Sequence, residues 1–128
     1  MAKKANPTRT VHLTDRALRD IAGIESHSIK LFGKRVAAQY MGKIEAGIGR
    51  LSDNPDLLRQ ESPFHESLKF YRVEQHLFVC ETGIEGKIVI LTLMRASMDI
   101  PSRLAELEPN LSMETEMLLK QLRRATKP

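Results

Sequence analysis

The residues of this chain that could carry imidazole or thiol chemistry are four histidines and a single cysteine. His12, His27 and His65 lie in separate segments without the short spacings of metal ligands, so we expect no metal site and no cofactor. A single cysteine excludes an internal disulfide and a cysteine-based zinc site. Cys80 stands in an apolar run without a basic neighbour, which predicts a buried, unreactive thiol. His76, at the start of a predicted strand, fits a hydrogen-bonded structural role and a functional role equally well.

The hydrophobic pattern predicts an α+β fold that would position these residues. Apolar residues at helical spacing change to strand-like alternation after residue 66, and glycine, asparagine and proline separate the segments. Tyr40 lies on a helical apolar stripe and is expected to pack. The predicted elements, after a flexible lead-in at 1–7, are a strand at 8–13, helices at 15–32 and 34–52, a polar loop at 59–66, strands near 68–73, 76–82 and 87–94, and helices at 102–107 and 111–124.

Two helices joined at Phe32-Gly33 predict an antiparallel hairpin, and the two short connections between the later strands predict a small antiparallel sheet. We expect the helices to pack on one face of that sheet. Pro109 divides the chain into a main domain, 8–107, and a C-terminal helical extension, 109–128, with a basic tail.

The net charge of +4 is concentrated at the two ends of the chain. The stretch 11–114 contains more acidic than basic side chains, whereas both termini are basic. A domain that grips nucleic-acid phosphates across a folded face would carry its basic excess inside the domain. Solvated termini are therefore preferred over a nucleic-acid contact. Because the sequence has neither an apolar run long enough to cross a membrane nor a signal-peptide pattern, we expect a cytoplasmic protein without a membrane partner.

Several short phrases, in this order, resemble the ParE branch of the ParE/RelE toxin superfamily. The similarity covers roughly residues 8–107, and the phrases together are more specific than any one of them. They are Ala17-Leu18-Arg19-Asp20-Ile21, Phe32-Gly33, Ala37-Ala38-Gln39-Tyr40, Leu51-Ser52-Asp53-Asn54-Pro55, Gln75-His76 and Met98-Asp99, followed by Leu104. The resemblance implies a toxin of a type II toxin–antitoxin system that inhibits DNA gyrase by binding it and is neutralised by a cognate antitoxin.

The RelE-like members of the superfamily are instead ribosome-dependent mRNA endonucleases, which implies a second reading with ribosome-bound mRNA as the partner. Cleavage of RNA by attack of a 2′-hydroxyl on the neighbouring phosphate needs a base, an acid for the leaving oxygen and cations around the phosphate. The candidates here are Lys69, Arg72, His76 and Arg95, and Arg72 and His76 could share a neighbourhood across a tight turn. The constellation is incomplete, because no histidine or tyrosine follows Met94, and we lean towards a protein that is not an enzyme. A third reading is a non-toxic interaction module.

The C-terminal helix, which lies outside the resemblance, carries Leu111, Leu118, Leu119 and Leu122 on one face. A helix this short is only marginally stable alone in water, so it must bury these leucines against another surface. We expect it to dock on its own domain in preference to a partner, which would be a second copy of the chain or the antitoxin.

Overall fold

The computed structural model describes residues 10–61, 63–65 and 67–126. The lead-in predicted at 1–7 and the first two residues of the strand predicted at 8–13 lie outside the described residues. The elements, in chain order, are β1 (Thr10–Leu13), α1 (Asp15–Asp53), a 3-10 turn (Pro55–Leu57), β2 (Arg59–Gln60), β3 (Lys69–Val73), β4 (His76–Ile84), β5 (Lys87–Arg95) and α2 (Ile100–Thr126).

The sheet has five strands in the order β1-β5-β4-β3-β2. The meander β3–β4–β5 is antiparallel, as predicted. The sheet is not purely antiparallel, because β1 pairs parallel to β5, with Thr10 opposite Lys87 and Leu13 opposite Ile90. Such a pair needs a long crossover connection, which α1 begins. The two residues of β2 form the opposite edge, within the segment predicted as the polar loop at 59–66.

α1 is the predicted helical hairpin, with arms at 15–32 and 34–53 on either side of Gly33. The glycine has φ 88° and ψ 167°, a backbone conformation that residues with a Cβ rarely adopt, and this breaks the helix. Thr14 caps the first arm, since its hydroxyl accepts from the Ala17 N–H at 3.1 Å. The second arm ends at Asp53, next to the predicted Asn54-Pro55 stop.

A β-bulge in β5 is held by the residue that caps α1. Val79 opposes Thr92 and Cys80 opposes Ile90, so Leu91 is the extra residue of this strand. The Thr14 hydroxyl donates to the Leu91 carbonyl at 2.8 Å, and the Thr14 N–H donates to the Ile90 carbonyl at 3.2 Å. One buried threonine therefore fixes the start of α1 against the centre of the sheet.

The two faces of the sheet are covered by different helices. The α1 cluster contains Ala17, Ile44, Leu51, Val73, Phe78, Cys80, Ile88, Ile90 and Leu93. The α2 cluster contains Phe70, Leu77, Val79, Val89, Leu91, Met94, Ile100, Leu104, Leu107 and Leu111. Both arms of the hairpin pack on one face, as predicted, and α2 covers the other face. Both faces must be buried because β4 and β5 are apolar on both sides.

α2 runs without interruption through Pro109, where we had predicted a break between two helices. A proline inside a helix costs about 3 kcal/mol through a lost hydrogen bond and a clash. Leu107 and Leu111, which flank it, are both buried in the α2 cluster, and each buried side chain contributes about 1.5–3 kcal/mol. The prediction that the C-terminal helix docks on its own domain is confirmed by Leu111 and Leu119, which are buried.

Candidate functional site

A hydrogen-bonded pair, Tyr40 and His76, lies where the hairpin meets the start of β4. The Tyr40 hydroxyl oxygen is 2.7 Å from Nδ1 of His76, and the rings meet edge to face with centroids 5.6 Å apart. The N–H of Gln75 donates to the same hydroxyl at 3.1 Å. Since the oxygen already accepts this bond, its O–H is available to Nδ1. We assign the imidazole proton to Nε2.

Both members of the pair are held in their neutral forms. Burial lowers the pKa of His76, and the charge of Arg95 lowers it further. Burial also raises the pKa of the Tyr40 hydroxyl. At neutral pH the pair is therefore an uncharged donor–acceptor contact, and the imidazole keeps one N–H for a further partner.

Asp20 supplies a hydrogen-bond acceptor to β5 beyond the point where the pairing of β5 with β1 ends. β1 pairs with β5 only as far as Ile90, which leaves the N–H of Leu93 without a strand partner on that edge. The Asp20 carboxylate accepts from this N–H at 3.0 Å and from the Thr92 hydroxyl. The carboxylate is thus engaged in holding the first arm of α1 to the sheet.

A cavity of about 610 Å³ opens between the hairpin and the adjoining ends of β4 and β5; we call it the hairpin groove. Its outer part is apolar and exposed, with Phe32 at 63% and Leu31 at 59% exposure. The lining residues are Arg19, Asp20, Gly23, Ile24, His27, Ser28, Leu31, Phe32, Val36, Tyr40, Gln75, His76, Thr92, Leu93, Met94, Arg95, Met98 and Arg103.

The four candidate ribonuclease residues are divided between two regions of the sheet. His76 and Arg95 are direct cross-strand partners, and both line the hairpin groove. Lys69 lies at the far end of β3, opposite Cys80. Arg72 turns back on its own loop, where its Nε donates to the Glu74 carbonyl at 2.8 Å.

Arg72 and His76 are predicted from the sequence to lie close together, but they line different cavities. His76 opposes Val73, whose side chain belongs to the α1 cluster, so in the alternation of β3 Arg72 lies on the other face with Phe70. Arg72 lines a second cavity, of about 460 Å³. That cavity is lined by Leu57, Arg59, Glu61, Phe64, Phe70, Tyr71, Arg72, Leu77 and Ala96.

Two residues of the site were missed by reasoning from the sequence. Tyr40 was expected only to pack, although it is the hydrogen-bond partner of His76. Asp20 was noted only as part of the Ala17-Leu18-Arg19-Asp20-Ile21 phrase, and no role was expected for its carboxylate. The only available signal was that both belong to the quoted phrases, since nothing in their spacing indicates contacts across 36 and 73 positions of the chain.

Cys80 is fully buried, and this burial raises the pKa of its thiol, as predicted for a core cysteine. Within residues 10–61, 63–65 and 67–126, no three His, Cys, Asp or Glu side chains are grouped as metal ligands. None of the helices in the described part of the chain is both long and apolar enough to span a membrane.

The chain is similar in sequence and in fold to known proteins of one family. The sequence matches the family model of the ParE toxin of the type II toxin–antitoxin system parDE over residues 11–100. It is 27% identical to Toxin ParE of Escherichia coli over 94 residues, which cover 73% of this chain and 91% of that protein. The fold is similar to a chain of the chromosomal ParDE toxin–antitoxin system from P. aeruginosa, with a TM-score of 0.61 and 16% identity over 70% of this chain and 98% of that chain. Nearly all of α2 lies beyond the matched residues.

Proposed function

Because the chain belongs to the ParE toxin family of type II toxin–antitoxin systems, we propose that it inhibits DNA gyrase by binding and is neutralised by a cognate antitoxin. The antitoxin is suggested by the ParDE assembly to which the fold is similar. Inhibition by binding needs a presented surface and no acid–base pair, and the hairpin groove offers exposed apolar side chains of the kind that mark protein interaction sites.

The observation that carries this proposal is the division of the candidate ribonuclease residues. General acid–base chemistry requires groups within hydrogen-bond reach of one reacting centre. Lys69 and Arg72 do not line the cavity that holds His76 and Arg95. Nδ1 of His76 is moreover occupied by the Tyr40 hydroxyl. This arrangement favours binding over catalysis.

The test is induction of the gene in a bacterium, followed by parallel measurement of the DNA-damage response and of protein synthesis. Gyrase inhibition is expected to induce the DNA-damage response early, while translation declines later. In the matching assay with purified components, the protein is expected to block supercoiling by gyrase, and prior addition of the antitoxin is expected to restore it. Growth that is unaffected by induction would favour the non-toxic interaction module.

A RelE-like mRNA endonuclease is the second candidate, favoured by the adjacency of His76, Arg95 and Tyr40. Here a base, a cation and a hydroxyl lie at one end of the sheet. The measurement is mapping of 5′ ends on ribosome-bound mRNA after induction. Cuts that are present with the wild type and absent with Arg95→Gln would establish this reading, and translation would then stop before any DNA-damage response.

A further inference from the structure

The start of β1 and the end of α2 lie at one corner of the sheet, beside the turn that joins β4 to β5. β1 begins at Thr10, which is opposite Lys87 at the start of β5. The last turns of α2 reach the same turn, because Arg123 donates to the Glu85 carboxylate at 2.6 Å. The described cations here, which we call the basic corner, are Lys87, Lys120, Arg123 and Arg124.

Both ends of the chain are basic, and both lie outside residues 11–100, which match the family model. Residues 1–9, which join the fold at Thr10, contain no acidic residue, and none follows Glu116. The basic residues of these two stretches are Lys3, Lys4 and Arg9, and Lys120, Arg123, Arg124 and Lys127. In the sequence the two ends are far apart, which indicated solvated termini. The fold places the points at which they join it at one corner.

Acidic side chains neutralise the basic corner only in part. The Glu85 carboxylate is shared by two cations, with Lys87 at 3.3 Å and Arg123 at 2.6 Å. Lys120 and Arg124 are exposed, and neither has a carboxylate within 4.0 Å in the part of the chain that the structure describes. Because they are four positions apart on α2, their side chains lie on the same side of the helix. The corner therefore presents an excess of positive charge to solvent.

The surroundings of the basic corner favour a phosphate backbone over a protein partner. Protein interfaces have an apolar or aromatic core in which lysine is depleted. Within 84–87 and 120–125 there is no aromatic residue and no exposed large apolar side chain. Proteins that hold single strands rely on aromatic side chains on which the bases stack. A duplex, by contrast, offers densely spaced phosphates that cations alone can bind.

We infer that the basic corner binds the phosphate backbone of duplex DNA without regard to base sequence. Lys120 and Arg124 contact phosphates, and Arg123, held by Glu85, lies beside them. This contact goes beyond the proposed function, since it needs neither gyrase nor an antitoxin. Only the choice of DNA over duplex RNA rests on that proposal, because gyrase acts on duplex DNA. The toxin is thereby concentrated on the substrate of its target.

The test measures binding of a fluorescent DNA duplex of arbitrary sequence to the full-length protein by anisotropy, over a series of salt concentrations. For the wild type we expect a dissociation constant on the order of 10⁻⁵ M at physiological salt. The logarithm of the association constant should fall with the logarithm of the salt concentration with a slope of about −3. The corner variant is Lys120→Gln with Arg124→Gln, which keeps the pair of Arg123 with Glu85.

The matched control is Lys30→Gln with Arg35→Gln, which removes one lysine and one arginine from exposed positions of the hairpin. The net charge therefore changes equally in the two variants. We expect roughly 10-fold weaker binding and a slope smaller by about 2 for the corner variant, and about 2-fold weaker binding or less for the control. Melting temperatures measured in parallel report on the folding of both variants.

Equal weakening by the two variants would show that net charge alone governs binding and would overturn the inference, as would a wild type that binds no duplex at low salt. Unchanged DNA binding with a lower melting temperature of the corner variant would also refute it, since the cations would then serve the helix dipole at the end of α2. Tighter binding of duplex RNA than of duplex DNA at the same salt would contradict the choice of DNA. Inhibition of supercoiling by the wild type is measured separately, so the proposed function stands or falls on its own assay.

Discussion

Gly47, on the second arm of α1, lies close against Val73 of β3, and Gly47→Ala is expected to destabilise the fold. A Cβ at this position would stand 2.6 Å from Cγ2 of Val73, well inside ordinary van der Waals contact. Val73 is 4% exposed and β-branched, so neither its position nor its rotamer can adjust freely. Overpacking of this kind costs about 1–3 kcal/mol. Alanine also favours the helix over glycine by about 0.5–1 kcal/mol, so we expect a net loss of up to about 2.5 kcal/mol.

Gly49→Ala is the matched control for this prediction. Gly49 lies on the same arm, and an added Cβ there would meet nothing within 4 Å. It should therefore show only the helix gain of about 0.5–1 kcal/mol. The difference between the two variants isolates the Val73 contact, which we expect at about 1–3 kcal/mol in urea unfolding followed by circular dichroism.

A double-mutant cycle identifies the atom responsible. If the contact with Val73 causes the loss, Gly47→Ala should cost nothing, or become stabilising, in a Val73→Ala background. Equal stabilities for the Gly47→Ala and Gly49→Ala variants, or an undiminished loss in the Val73→Ala background, would refute the close approach of the second arm to β3.

Four further predictions concern the cap, the Tyr40–His76 pair and α2. Thr14→Ala should lower the free energy of unfolding by about 2–3 kcal/mol, because it removes both the helix cap and the bond to the Leu91 carbonyl, while Thr14→Ser should retain most of it. Tyr40→Phe should cost about 1–2 kcal/mol, because the hydroxyl serves both His76 and the Gln75 N–H. The pKa of His76 is below 6.5 in the folded state, so its contribution to stability is present above that pH and declines as the pH falls through the folded value. Urea unfolding between pH 7.5 and about 5.5 should show this decline in the wild type and less of it in His76→Gln. Deletion of 109–128 should lower the melting temperature of the free toxin and increase dye binding to exposed apolar surface, whereas an unchanged melting temperature would contradict self-docking.

Local sequence signals were enough to predict most of the elements. The period of the apolar residues indicated both arms of the hairpin, Gly33 marked their junction, and the turn at residues 83–86 marked the β4–β5 connection. These features depend on neighbours a few positions away, and the chemistry of glycine and of alternating side chains determines them directly.

Contacts between distant segments were not predictable in the same way. The parallel pairing of β1 with β5 depends on the path of the whole hairpin, and no residue in Thr10–Leu13 specifies it. The continuity of α2 through Pro109 follows from leucines buried against the sheet, a tertiary gain that outweighs a local penalty. The partnership of Tyr40 with His76 likewise requires the hairpin and β4 to be in place.

The parallel pairing of β1 with β5 also determines when the fold can close during synthesis. The Thr14–Leu91 bond joins positions 77 residues apart, and β1 has no strand to pair with until residues 87–90 are available. A nascent chain that ends before this point retains an unpaired first strand and one side of the β4 edge open. α2 can dock only later still, so the completed surface of the toxin first exists when almost the entire chain has left the ribosome. A transcript that is truncated before the codons for residues 87–90 therefore yields no folded toxin.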